Sequence, residues 1–179
     1  MKKFVTFLTL SVFAIGAFAQ VYKTSTGTVD FISSTPAEDI AAKSSKVKAA
    51  LDSKSGVVQF AISVNSFQFK KSLMQKHFQE NYMETSKYPK SSFKGKITDS
   101  NAIKWDQDGI YKVKVKGTLK MHGVSKVITI PGQVIIKEGK PTLKAAFTIK
   151  PTDYKIKIPT RTASKIAKDV AINVNCACN

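Results

Sequence analysis

A chain of 179 residues, 42% of them hydrophobic, is long enough for one ordinary domain with its own core. Its 29 lysines and arginines against 12 acids give a formal net charge of +17, yet Arg161 is the only arginine. Specific nucleic-acid sites rely on arginine forks and aromatic platforms, so this lysine excess argues against a nucleic-acid partner and toward solubility or an anionic membrane surface.

Lys2 and Lys3 precede the apolar run FVTFLTLSVFAIGAF and then Ala17-Phe18-Ala19. Positive, apolar, then small residues predict a secretory signal peptide over residues 1–19. The run is short for a spanning helix and has no basic flank after it. One exported domain, residues 20–179, is expected to follow. At about 160 residues it buries roughly 70% of its unfolded surface and needs no staples. STPAEDIAAK offers Ser34 or Thr35 as a cap, Pro36 at the first helical position and Glu38 and Asp39 in the first turn, which predicts a short helix. Val47, Ala49 and Leu51 then alternate like a strand.

GVVQFAISV places Val58, Phe60, Ile62 and Val64 on one face. In KSLMQKHFQENYMETSKYP, Met74, Phe78 and Tyr82 recur every four residues, so a short amphipathic helical segment is predicted near 72–84, ended before Pro89. SSFKGKI sets Phe93 and Ile97 opposite Lys94 and Lys96. YKVKVKGTLK sets Tyr111, Val113, Val115 and Leu119 opposite Lys112, Lys114, Lys116 and Lys120. SKVITIPGQVIIK should bend or break at Pro131-Gly132. LKAAFTIK and DVAINVNC turn Leu143, Ala145, Phe147, Ile149, Val170, Ile172 and Val174 inward. Ser55-Gly56, Asp108-Gly109 and Glu138-Gly139 read as hairpin turns. Regular strands and short turns predict an antiparallel barrel or sandwich.

An outer-membrane barrel would turn the apolar face to lipid and crowd the lysines into a narrow lumen with few acids to pair them. Unpaired buried charge is costly, so the lysines belong outside and the apolar residues inside. Such a barrel can be filled by its own side chains or can hold a ligand. Cys176 and Cys178 are too close in sequence for an unstrained bridge, and two thiols with two distant histidines make no metal site, so they read as a strand end and polar tail. No nucleophile triad, phosphate loop or dinucleotide fingerprint is present, and Glu80 and Glu84 read as a solvated pair. No enzymatic activity and no cofactor are expected.

Three segments carry a resemblance. LMQKHFQENYMETSKYPKSSFKGKI (73–97), GTLKMHGVSKVITIPG (117–132) and FTIKPTDYKIKIP (147–159) are similar, in order and spacing, to the hallmarks of the YceI-like family. These are a helical loop with Tyr-Pro before a strand, a His-Gly-Val turn, and an Asp-aromatic pair before Ile and Pro. The N-terminal third departs from the commoner pattern, with neither its Trp nor its His-Ser pair in VYKTSTGTVDFISSTPAEDI.

The resemblance implies a mostly β fold, an antiparallel eight-stranded lipocalin-like barrel whose interior holds a polyisoprenoid or related long-chain lipid. It also implies a periplasmic setting and, in some members, a homodimer. The expected apolar lining is Phe60, Ile62, Phe67, Phe69, Leu73, Met74, Phe78, Tyr82, Phe93, Tyr111, Val113, Val115 and Phe147. His122 is a candidate polar contact to a head group, weighed against a turn histidine that bonds backbone. The expected function is an exported protein that binds a polyisoprenoid, quinone tail or fatty acyl chain. The alternative is a filled β-domain that meets anionic envelope surfaces through its lysines.

Overall fold

The computed structural model describes residues 20–179; the signal peptide expected over residues 1–19 lies outside the described residues. Alternation builds the wall. Its strands are β1 (Val21–Ser34), β2 (Asp39–Asp52), β3 (Val57–Ser63), a two-residue β4 (Gln68–Phe69), β5 (Lys90–Ile97), β6 (Gly109–Met121), β7 (Val124–Lys137), β8 (Lys140–Ile149) and β9 (Val170–Ala177). Hydrogen-bonded neighbours run β1-β9-β8-β7-β6-β5-β3-β2, and β2 pairs again with β1. The result is a closed antiparallel barrel of eight strands, with β4 added beside Ala42 and Lys43 of β2. A short helix α1 (Ser72–His77) continues into a wider π-type turn, Phe78–Tyr82, where the amphipathic segment was predicted. The fold is mostly β, as expected.

The barrel has two different ends. One carries the β1–β2 connection, α1, the His122-Gly123 turn and residues 150–169. The other carries residues 53–56, residues 98–108, the Glu138-Gly139 turn and both ends of the described chain. At that second end Lys23 and Asn179 exchange two backbone hydrogen bonds, of 2.9 and 3.0 Å.

Three expectations need correction. Residues 36–45 are not helical. Thr35 accepts from the Glu38 amide and its hydroxyl donates to the Glu38 carbonyl, both at 3.1 Å, and this closes a turn from which β2 leaves at Asp39. A cap-like Thr with Pro after it serves a turn as well as a helix start, and the ladder with β1 decides between them. Second, β7 neither ends nor breaks at Pro131-Gly132; it runs unbroken to Lys137, and Pro131 pairs with Lys114 of β6. What stops there is the pairing with β8, whose ladder goes no higher than Gly132 opposite Ala145. Proline has no N–H to offer that neighbour. Third, Asp108-Gly109 is not a hairpin turn but the end of a longer loop, where the Asp108 carboxylate accepts the Glu138 amide at 2.8 Å. Glu138 and Gly139, with φ of 50° and 71°, do form a tight turn.

The expected polar tail is also absent. Cys176 and Cys178 are free and almost wholly buried, and the Cys178 amide donates to the Pro141 carbonyl at 2.9 Å. Burial pushes the Cys176 thiol up to about 12, helped by the neighbouring Cys178, and the Cys178 thiol up to about 11, from an ordinary value of 9.0. A raised folded value favours the neutral thiol in the fold. That contribution is complete below pH 9.0 and is lost as pH rises toward 11 and 12. At pH 8, alkylation of the native protein is expected to run about 100-fold slower at Cys178 and about 1,000-fold slower at Cys176 than in denaturant, since the thiolate is the nucleophile. Mass spectrometry after timed iodoacetamide pulses measures this; rapid native labelling of either cysteine would show that this end opens.

Candidate functional site

Inward side chains do not fill the barrel evenly. At the end that joins the chain's two ends, Tyr22, Leu51, Ile103, Trp105, Ile136, Cys176 and Cys178 pack together, with Tyr22 and Trp105 stacked 6.4 Å apart. Above that plug the walls stand apart around a cavity of about 640 Å³. Every full-length strand contributes lining: Val29 and Phe31 of β1, Val47 of β2, Val58, Phe60 and Ile62 of β3, Phe93 of β5, Val113 and Val115 of β6, Ile130 and Val134 of β7, Phe147 of β8 and Ile172 of β9. The wall is almost wholly apolar, so a chain of methylenes would exchange water for hydrocarbon along its whole length.

The opposite end forms the mouth. Phe78 of the π-type turn packs on Phe31, Phe67 and Phe69 at ring-centre distances of 5.4, 5.7 and 5.1 Å. These four rings fasten the helical segment to β1 and β4. The Gln75 side-chain oxygen accepts the Phe69 amide at 3.2 Å, and the Tyr82 hydroxyl donates to Thr162 at 3.2 Å, so residues 150–169 are tied to the same segment. Leu73 is exposed and leans over the opening with Met74. Glu38 lies 3.7 Å from both Lys71 and Lys165, a polar rim across the mouth. Such long, half-exposed pairs contribute little to stability.

Twelve of the thirteen expected lining residues border this cavity. Tyr111 does not: its hydroxyl donates to the Lys104 and Gln107 carbonyls, at 3.1 and 3.0 Å, and its ring packs against the plug. His122 does not border the cavity either. It sits at φ 50° in the turn before Gly123, is buried, and faces an oxygen with each ring nitrogen: the Tyr154 carbonyl at 3.0 Å and the Glu84 carboxylate at 2.8 Å. Tyr88 covers it, with ring centres 4.5 Å apart. This histidine staples the β6–β7 turn to two neighbouring loops. Sequence reasoning missed Phe31 and Val29 on β1 and the isoleucines Ile156, Ile158 and Ile166 that border the mouth from the C-terminal segment. The Ile-Lys-Ile-Pro run was the available signal for Ile156 and Ile158.

No group of three or more His, Cys, Asp or Glu able to hold a metal occurs among the described residues, and no described helix is long and apolar enough to cross a membrane. The fold and cavity define a closed antiparallel barrel with an apolar interior that opens at one end. The sequence matches the YceI-like domain over residues 5–178, and the chain belongs to that family. A polyisoprenoid binding domain from Saccharophagus degradans, implicated in plant cell wall breakdown, is similar in fold: TM-score 0.77, 18% identity, 90% of this chain and 99% of that one covered. Burkholderia cenocepacia BcnA gives 0.71 at 18% identity over 86% and 96% of the two chains. The Campylobacter jejuni YceI protein gives 0.55 at 20% identity over 99% and 97%. No curated protein matches the sequence.

Proposed function

We propose that this protein is an exported carrier whose single barrel domain, residues 20–179, holds the apolar chain of a polyisoprenoid, a quinone tail or a fatty acid in its cavity. Signal-peptide cleavage after residue 19 would release it into a bacterial periplasm. The observation that carries the reading is the apolar cavity of about 640 Å³ above a filled plug, inside the ~300–1,000 Å³ range of ligand-holding sites. The Saccharophagus degradans domain, described as binding polyisoprenoid, supports it from outside this chain. Each buried methylene contributes up to about 0.8 kcal/mol, so a long chain binds without specific polar contacts, less the cost of association. The lining offers no grouping that suggests catalysis.

The test is native mass spectrometry of the protein isolated from its own cell envelope, followed by solvent extraction. The expected result is a bound mass released as a long-chain lipid. A bare protein mass that persists after incubation with prenol, quinone and fatty acid would overturn the carrier reading.

A further inference from the structure

We propose that the outer face of β5–β8 is a docking surface for an anionic lipid bilayer. The proposal is independent of what the cavity holds. Ten lysines point outward from these strands: three on β5, four on β6, one on β7 and two on β8. The same four strands contain no Asp or Glu. None of the ten has a carboxylate within ion-pairing distance among the described residues, whereas Lys71, Lys126 and Lys165 do. A coat kept only for solubility would mix signs, as β1 and β2 do with four lysines and three aspartates.

The arrangement is a grid. Lys96 stands directly opposite Lys116, Lys94 opposite Thr118, and Lys120 opposite Ser92. Lys112 faces Gln133, which faces Lys144. Strand spacing and pleat put these charges at roughly 5 Å across and 7 Å along the sheet. Like charges directly opposite destabilise a sheet, so Lys96 and Lys116 are unfavourable until an anionic surface meets them.

The chemistry of the face favours a bilayer over a soluble polyanion. Its outward residues include neither arginine nor an aromatic ring, the groups that grip single phosphates and stack bases. It does include two large exposed apolar residues, Ile110 on β6 and Val127 on β7, the latter 68% exposed opposite Thr118. Lysine stems and aliphatic side chains bury well in the headgroup layer, while ammonium groups remain among phosphates.

The experiment is vesicle co-sedimentation of the protein as isolated, with phosphatidylcholine alone or mixed with phosphatidylglycerol, at low and high salt. Expected are binding only to the mixed vesicles and release by salt. Two triple variants carry the same charge change: Lys112→Gln with Lys114→Gln and Lys116→Gln on β6, and Lys43→Gln with Lys46→Gln and Lys48→Gln on β2. At about five-fold per lysine, the β6 variant is expected to bind about 100-fold more weakly, and the β2 variant within a few-fold of the parent. Both triples share the N-terminus and net charge, so they isolate the face. Equal losses in the two triples, equal binding to phosphatidylcholine alone, or no vesicle binding by the parent would each overturn the proposal. So would tighter, β6-dependent binding to heparin or DNA, which would reassign the face to a soluble polyanion. If a triple fails to fold, the single variants Lys114→Gln on β6 and Lys48→Gln on β2 keep the comparison, with about a five-fold loss expected for the first and little for the second, and equal losses would overturn the proposal.

Discussion

Phe78→Asp is expected to empty the barrel without unfolding it. Phe78 lies within 5.7 Å, centre to centre, of three phenyl rings, those of Phe31, Phe67 and Phe69. A carboxylate placed there must be dragged from water into a hydrocarbon nest, which costs several kcal/mol, on the order of the whole gain from docking a short helix. The inexpensive response is for residues 72–82 to lift off and carry the new charge to solvent. No ladder runs through that segment, so the eight-stranded wall survives. The mouth then stands open, and a chain held only by apolar contact loses its cover. Native mass spectrometry is expected to find the variant bare where the parent carries lipid, while far-UV circular dichroism stays β-like. Amide exchange is expected to speed up across 72–83 and not in β5–β9. Phe78→Leu, apolar and of similar bulk, is expected to keep its cargo. A folded Phe78→Asp protein that retains the parent's bound mass would move the binding seat away from this cavity.

The same four rings mark where sequence reading stopped. Alternation made β5 and β6 legible, because each lysine there shares parity with the next and every apolar residue but Ile110 falls on the other parity. β1 and β2 hid their inward sets. Their ladder shifts register on either side of Gly27, where each strand takes up an extra residue. Inward parity therefore jumps from Tyr22 to Gly27, Val29 and Phe31 on one strand, and from Ala42 and Ser44 to Val47, Ala49 and Leu51 on the other. A period-two reading across a bulge points half the residues the wrong way. The shift hides Phe31, while the start of β2 looked helical for another reason, its cap-like Thr35-Pro36 opening.

Whether the interior is filled or hollow could not be read from residue type. Ile, Leu and Tyr both make the plug and line the cavity. What separates Tyr111 from Val113 is one step along β6 and the presence of Trp105 and Ile103 below, brought in by a loop whose sequence shows no such destination. The answer is both: one end is packed and the other is hollow. A plug gives such a barrel a folded core that does not depend on cargo, so the mouth can loosen without loss of the wall.

Gly117→Ala is expected to be among the most damaging single-methyl changes in the wall. Gly117 of β6 faces Gly95 of β5 across the ladder, and the Phe93 ring lies over both. A Cβ at position 117 would overlap the Gly95 Cα and stand 2.5 Å from the Lys94 carbonyl oxygen and 2.7 Å from the Phe93 ring. Two of these neighbours are backbone, which cannot swing aside. Relief therefore needs β5 and β6 to part, and their hydrogen bonds lengthen with them. Overpacking of this kind costs about 3 kcal/mol, or roughly 6–12 °C in Tm for a chain of this size. Gly139→Ala is the control. Gly139 has φ 71° but nothing within 4 Å of its would-be Cβ, so only the backbone term of about 1–2 kcal/mol applies. A second effect separates the two sites. The methyl at 117 pushes the Phe93 ring into the cavity, so the longest bound chains should be lost from the mass spectrum before shorter ones, whereas Gly139→Ala leaves the cargo profile as in the parent. Equal stability losses at positions 117 and 139 would mean that β5 and β6 do not approach as closely as the glycine pair allows.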